Sequence, residues 1–164
     1  MLTKINLGCE SQIIPGFLNF DVRYKQFVGS LYWEWNKPIP CADDSAELIL
    51  VQHVLMYLSP QDYDKNLQEI YRVLCPEGIL IIKEENNLKY RWRKLGTKHK
   101  TGHIVSSTNP EEMVEILKRN KFKIISQDAK AIVIKYNVNR SIMPIINRLP
   151  KLFANKIFII ESKK

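Results

Sequence analysis

The 164-residue chain has no apolar run approaching the roughly 20 residues that a membrane-spanning helix needs, so none is expected. Its three cysteines, Cys9, Cys41 and Cys75, are odd in number and widely spaced. No C-x-x-C pair and no Cys/His zinc spacing occurs, which argues against a disulfide framework and against a metal centre. Each thiol is expected as a small buried side chain. The chain lacks the basic and apolar regions of a signal peptide, because strand-like sequence begins at once, and a cytoplasmic protein is expected. There is no internal repeat and no low-complexity tract. A Gly-x-Gly turn is also missing, since Gly8 is followed by Cys9 and Glu10.

What is present is enough for a folded core. Apolar residues make up 45% of the chain, which excludes a disordered one, and its length fits a single domain over 1–164. The net charge is +8. That balance suits an acidic partner such as nucleic acid, an acidic glycan or an anionic membrane; a generic basic surface accounts for it equally well.

Strands and helices alternate along the chain. Residues 5–7 read as a buried strand closed by Gly8, and residues 17–22 as a second. Only eight residues separate Gly8 from Phe17, too few for an ordinary crossover helix, so a loop or very short helix is expected there. Residues 47–52 form a continuous apolar run, the mark of a strand covered on both faces. Ser59 is a candidate N-cap with Pro60 at the first helical position, and Leu67, Ile70, Tyr71 and Leu74 follow at helical spacing. The Pro76-Glu-Gly78 turn ends that helix, and residues 79–83 are the next strand. Asn109 and Pro110 open a helix with Met113, Ile116 and Leu117 on its buried stripe. Residues 122–126 and 157–161 look like the last strands. Residues 131–136 could extend the sheet. Residues 142–153 read as an amphipathic, Pro-broken helix that packs on the sheet more readily than on a membrane.

This alternation predicts an α/β layered fold, whose ligands sit at the carboxyl ends of its strands. Gly8, Asp21 and the Gln52-His53 pair all fall at such ends. A glycine there admits close backbone approach, and an acid at a strand end can accept hydrogen bonds from ribose hydroxyls. An ordinary turn between two strands is the competing reading of the opening segment. Glu34 lies among Tyr32, Trp33 and Trp35, aromatic enough to cover a flat base or to fill a core. His53 suits a proton-transfer group or a pocket wall. Lys89, Arg91, Arg93, Lys94, Lys98 and Lys100 form the densest basic run, interleaved with Tyr90 and Trp92 as nucleic-acid or sugar binding requires; a solvated basic loop is its plain alternative. His103 stands at its far end.

In order and spacing the chain resembles the class I S-adenosylmethionine (SAM)-dependent methyltransferases of the compact type 11-like group. The resemblance is carried by Asn6-Leu-Gly-Cys9, Pro15-Gly-Phe-Leu-Asn-Phe-Asp21, Trp35-Asn-Lys-Pro-Ile-Pro40, Asp43-Asp-Ser-Ala-Glu-Leu48, Gln52-His-Val-Leu55 and Glu69-Ile-Tyr-Arg-Val-Leu-Cys-Pro-Glu-Gly78. It implies a single Rossmann-like α/β domain, mostly parallel with an antiparallel last strand, and transfer of a methyl group from SAM to an acceptor oxygen or nitrogen. Gly8 and Cys9 would lie against the methionine part, Asp21 would hold the ribose, and Glu34 and Trp35 would meet the adenine. His53 would stand near the methyl group, and Arg91, Arg93, Lys94 and His103 would face an anionic acceptor: glycan, small metabolite or RNA. Glu10 occupies a position where the family pattern has glycine, and a carboxylate there would repel the carboxylate of SAM. That departure leaves room for a methyltransferase-like binding or partner protein without catalysis, and the basic run over 89–100 for an RNA- or acidic-glycan-binding module.

Overall fold

The computed structural model describes residues 2–85, 98–99, 102–103, 110–128 and 157–164. Its centre is a seven-stranded sheet in the order β3-β2-β1-β4-β5-β9-β8. The strands are β1 (Thr3–Leu7), β2 (Leu18–Asp21), β3 (Leu31–Tyr32), β4 (Ala46–Gln52), β5 (Leu74–Glu85), β8 (Lys123–Asp128) and β9 (Ile157–Lys163). The first five are parallel. β9 runs antiparallel to both neighbours, β5 and β8. A separate two-stranded ladder joins β6 (Lys98–His99) to β7 (Gly102–His103). The expected elements at 131–136 and 142–153 lie outside the described residues, as do Arg91, Arg93 and Lys94.

Two helices, α1 (Tyr63–Val73) and α2 (Pro110–Arg119), build one layer. Alternate strand residues Ile5, Leu7, Ile49, Val51, Leu80 and Ile82 share a buried cluster with Leu67, Ile70 and Val73 of α1 and Met113, Ile116 and Leu117 of α2. A period of two along the strands thus meets a period near 3.6 along the helices. β4 is buried along almost its whole length, as its unbroken apolar run predicts.

Helix boundaries differ slightly from expectation. Pro60–Asp62 form a 3-10 turn ahead of α1, and the Ser59 hydroxyl donates to Asp62 Oδ2 at 2.6 Å rather than capping a backbone N–H. α1 ends at Val73, so Leu74 is not on its stripe but opens β5. Gly78 permits that abrupt start, because a Cβ there would sit 2.8 Å from the Cys75 carbonyl and 3.0 Å from that of Ala46.

The first half of the sheet is organised without α-helices. Residues 8–17, between β1 and β2, run as turns. Two buried amides replace the missing helix. Asn19 Oδ1 accepts from Asn6 Nδ2 and from the Ile14 N–H, both at 3.0 Å, while Asn19 Nδ2 donates to the carbonyls of Ile14 (3.1 Å) and Phe17 (3.0 Å). Asn6 Nδ2 also donates to the Gln12 carbonyl at 3.0 Å. Side-chain amides therefore satisfy loop backbone groups that a helix would have satisfied internally.

Candidate functional site

β1, β2 and β4 end at one edge of the sheet, and the turns beyond them enclose a cavity of about 250 Å³. Gly8 and Glu10 come from the turn after β1, Asp21 and Arg23 from the end of β2, and His53, Val54 and Tyr57 from the turn after β4. Trp33 and Trp35, which follow β3, complete the wall. Their rings meet edge to face with centroids 4.5 Å apart. The location follows the rule that open α/β sheets bind ligands at strand carboxyl ends.

Gly8 has φ +71. A Cβ at this position would lie 2.3 Å from Val54 Cγ2. Glycine is thus required twice, by backbone conformation and by the side chain packed against it. Val54 is itself held in place. Its N–H and that of Leu55 donate to Oε1 of the buried Glu84, at 2.6 and 2.9 Å. The preceding His53 has φ +51, and its N–H donates to the Lys83 carbonyl at 2.9 Å. The end of β5 therefore fixes the turn that carries His53.

Asp21 is buried, and its carboxylate is oriented by backbone. Oδ2 accepts from the Glu10 N–H at 3.0 Å and Oδ1 from the Arg23 N–H at 2.7 Å. A carboxylate oxygen has two acceptor sites, so capacity for ligand donors remains. Glu10 has φ +44, a conformation suited to the glycine of the family pattern. Its carboxylate is ion-paired: Arg23 Nη2 donates to Glu10 Oε1 at 2.6 Å. The repulsive charge expected of Glu10 is thus balanced within the cavity wall. Burial, with Asp21 and Glu10 close by, pushes the Cys9 thiol up to about 11, so Cys9 is a neutral thiol at physiological pH.

Trp33 and Trp35 are positioned by α1 from a distance. Asn66 accepts from the Asn36 N–H and donates to Asn36 Oδ1, both at 2.8 Å. Glu69 Oε1 accepts from the Ile39 N–H at 2.7 Å. Arg72 donates to both Glu69 oxygens (2.9 and 2.5 Å), to Asp43 (2.5 Å) and to the carbonyls of Ile39 and Cys41 (both 3.1 Å). Asn66, Glu69 and Arg72 recur every three residues and so share a helix face. They clamp the segment that carries the two tryptophans. Arg72 beside it holds the Glu69 carboxyl below the usual glutamate range.

Of the residues the sequence singles out, the cavity gathers Gly8, Asp21, Trp35 and His53. Cys9 is buried and is not part of the lining. Glu34 is exposed, accepts the Tyr32 hydroxyl at 3.1 Å and lies outside the lining, whereas its neighbour Trp33 is inside. His103 belongs to β7. Arg23, Val54, Tyr57 and Glu84 were not legible as site residues. Only Arg23, two positions beyond the strand-end acid, had a local cue. Among the described residues no cluster of His, Cys, Asp or Glu could hold a metal ion, and no helix is long and apolar enough to cross a membrane.

Comparison with solved structures places this arrangement. A SAM-dependent methyltransferase from Methanosarcina mazei superposes with a TM-score of 0.69 at 16% identity, covering 99% of this chain and 92% of that one. The chain has a class I methyltransferase fold. A second SAM-dependent methyltransferase, from Archaeoglobus fulgidus, matches with a TM-score of 0.65 at 16% identity over 99% and 86% of the two chains. Residues 34–82 also match the sequence model of a methyltransferase domain family. That segment holds Trp35, the clamp and His53, and begins one residue after Trp33. The same fold occurs in the [4+2]-cyclase SpnF, with a TM-score of 0.58 at 14% identity over 99% and 75% of the chains. A search of curated proteins finds no match.

Proposed function

We propose that this cavity binds S-adenosylmethionine and that the protein transfers its methyl group to an oxygen or nitrogen of an acceptor. The observation that carries the reading is the pairing of Gly8, where no Cβ fits, with the backbone-oriented carboxylate of Asp21 at adjacent strand ends. Such a site accommodates a nucleoside: backbone can approach the ligand at Gly8, and Asp21 can accept from ribose hydroxyls. Trp33 and Trp35 supply the apolar wall for the base, taking over the adenine contact that the sequence suggests for Glu34. When bound, the cofactor supplies a methyl group already activated on a sulfonium. The chain's part is then to hold and orient, and to exclude water. His53 can accept a proton where the acceptor must lose one, and is dispensable otherwise. The acceptor side is assigned to the basic run with Arg91, Arg93 and Lys94, together with His103, which suits an anionic acceptor.

Calorimetric titration with S-adenosylhomocysteine tests the site independently of any acceptor. Binding to the folded state alone should also raise the melting temperature with ligand concentration. Asp21→Ala should weaken binding roughly ten- to a hundred-fold, about 1.5–3 kcal/mol for a lost charged acceptor. Asp21→Asn, which keeps one acceptor oxygen for the backbone, should retain the fold and still weaken binding. Absence of heat and of a thermal shift at millimolar ligand would remove the reading. Because a cyclase shares this fold, binding alone leaves the reaction open, and methyl transfer needs its own assay with labelled SAM.

A further inference from the structure

Glu10 and Arg23 face the cavity as a matched pair of opposite charges. Both line it, and Arg23 is the one lysine or arginine among its described lining residues. The guanidinium is held from several sides: by Glu10 Oε1 at 2.6 Å, by Asp21 Oδ1 at 3.8 Å from Nε, and by the Phe27 ring with its centroid 5.3 Å away. Both side chains keep partial solvent access, 28% for Arg23 and 46% for Glu10, so neither is locked in the interior.

The turn after Gly8 leads into no α-helix. A helix start behind a glycine turn would offer unpaired N–H groups to an anion. Here that provision is missing, and a ligand carboxylate needs another donor. Arg23 is the guanidinium available among the described lining residues. A ligand with both an ammonium and a carboxylate presents the complement of a Glu–Arg pair. One internal ion pair can be exchanged for two external ones with no net charge left uncompensated.

We infer that Glu10 and Arg23 bind the zwitterionic amino-acid end of the cofactor, Arg23 taking its carboxylate and Glu10 its ammonium. The inference rests on the proposed SAM site and assigns a specificity to it. Glu10 then replaces the family's glycine with a ligand contact, and Arg23 is its obligatory companion.

The test edits the ligand before the protein. S-adenosylhomocysteine, its decarboxylated analogue S-adenosyl-3-thiopropylamine, and 5′-methylthioadenosine, which lacks the whole amino-acid end, are titrated into the wild-type chain and into Arg23→Ala, Arg23→Lys and Glu10→Gln. Wild type should prefer S-adenosylhomocysteine to both analogues by about ten-fold or more. Arg23→Ala should erase its preference over the decarboxylated analogue and leave methylthioadenosine affinity within about two-fold, with Arg23→Lys intermediate. Glu10→Gln should weaken both amine-bearing ligands and spare methylthioadenosine. Equal wild-type affinity for the three ligands overturns the inference while leaving the cofactor site intact, and needs no variant to fold. An equal loss for all three in a folded Arg23→Ala overturns it as well. Failure of wild type to bind any of them overturns the cofactor site and this inference together.

Discussion

Two segments bring the cavity together, and they are held by different chemistry. Residues 12–17 are fastened by the neutral amides of Asn6 and Asn19, which are almost wholly buried at 0% and 3% exposure. The segment that carries Trp33 and Trp35 is fastened by Asn66 and by the charged set Glu69, Arg72 and Asp43, with Asp43 73% exposed. A neutral, buried tether has no titrating group and little contact with salt. A charged tether near the surface is adjustable by both. The loop behind the glycine turn is therefore the fixed support of the site, and the tryptophan segment the conditional one.

The comparison breaks most visibly at Asn19. Asn19→Ala strands the Ile14 N–H and the Phe17 carbonyl, leaves the Ile14 carbonyl with the Phe17 N–H alone, and should cost about 3 kcal/mol of stability by urea denaturation. Arg72→Ala comes next. It removes five hydrogen bonds, several of them solvent-accessible, and should cost about 2 kcal/mol. It should also slacken the tryptophan wall, so intrinsic fluorescence should shift to the red, which Asn19→Ala should do less.

Acid sharpens the contrast. Arg72, and then the Ile39 N–H, hold the folded Glu69 carboxyl below its usual range, against the opposing effect of burial. A depressed folded value means the stabilisation is complete above the unfolded value. It is lost as pH falls below about 4.5 and through the folded value. Hydrogen exchange should thus show the Ile39 amide losing protection on acidification before the Ile14 amide does. Glu69→Gln should flatten this difference. The smallest effect is that of salt. Raising NaCl to 1 M should change stability by less than about 0.5 kcal/mol, through the exposed Asp43–Arg72 pair. Asp43→Asn should remove most of that sensitivity.

Much of the scaffold was legible because it is periodic. The unbroken apolar run of β4 and the 3–4 spacing of Leu67 and Ile70 specify their elements locally. β3 was missed, since two residues carry no period. Lining residues of the candidate cavity were legible where a residue type and a strand end coincide, as at Gly8, Asp21 and His53. What escaped depends on long-range geometry. Glu84 reads as the charged end of a strand, yet it orients the turn at Val54, 30 positions away in sequence. Glu69 and Arg72 read as the polar face of a helix, yet they secure a loop 30 residues upstream. The Glu34 and Trp33 outcome has the same origin. Neighbours in a strand-like segment face opposite ways, and the sequence leaves open which one faces inward.

The turn that replaces the first crossover helix also bears on how the sheet is assembled. Ile5 pairs with Leu18, thirteen residues away, whereas Ile79 pairs with Lys163 across about half of the chain. Closing the short loop costs little chain entropy, and closing the long one costs more. The β1–β2 corner, with its paired asparagines, can form early, while β9 must wait for the intervening chain. The end of the cavity lined by Gly8 and Asp21 would thus be shaped among the earliest contacts, with the antiparallel edge of the sheet added last.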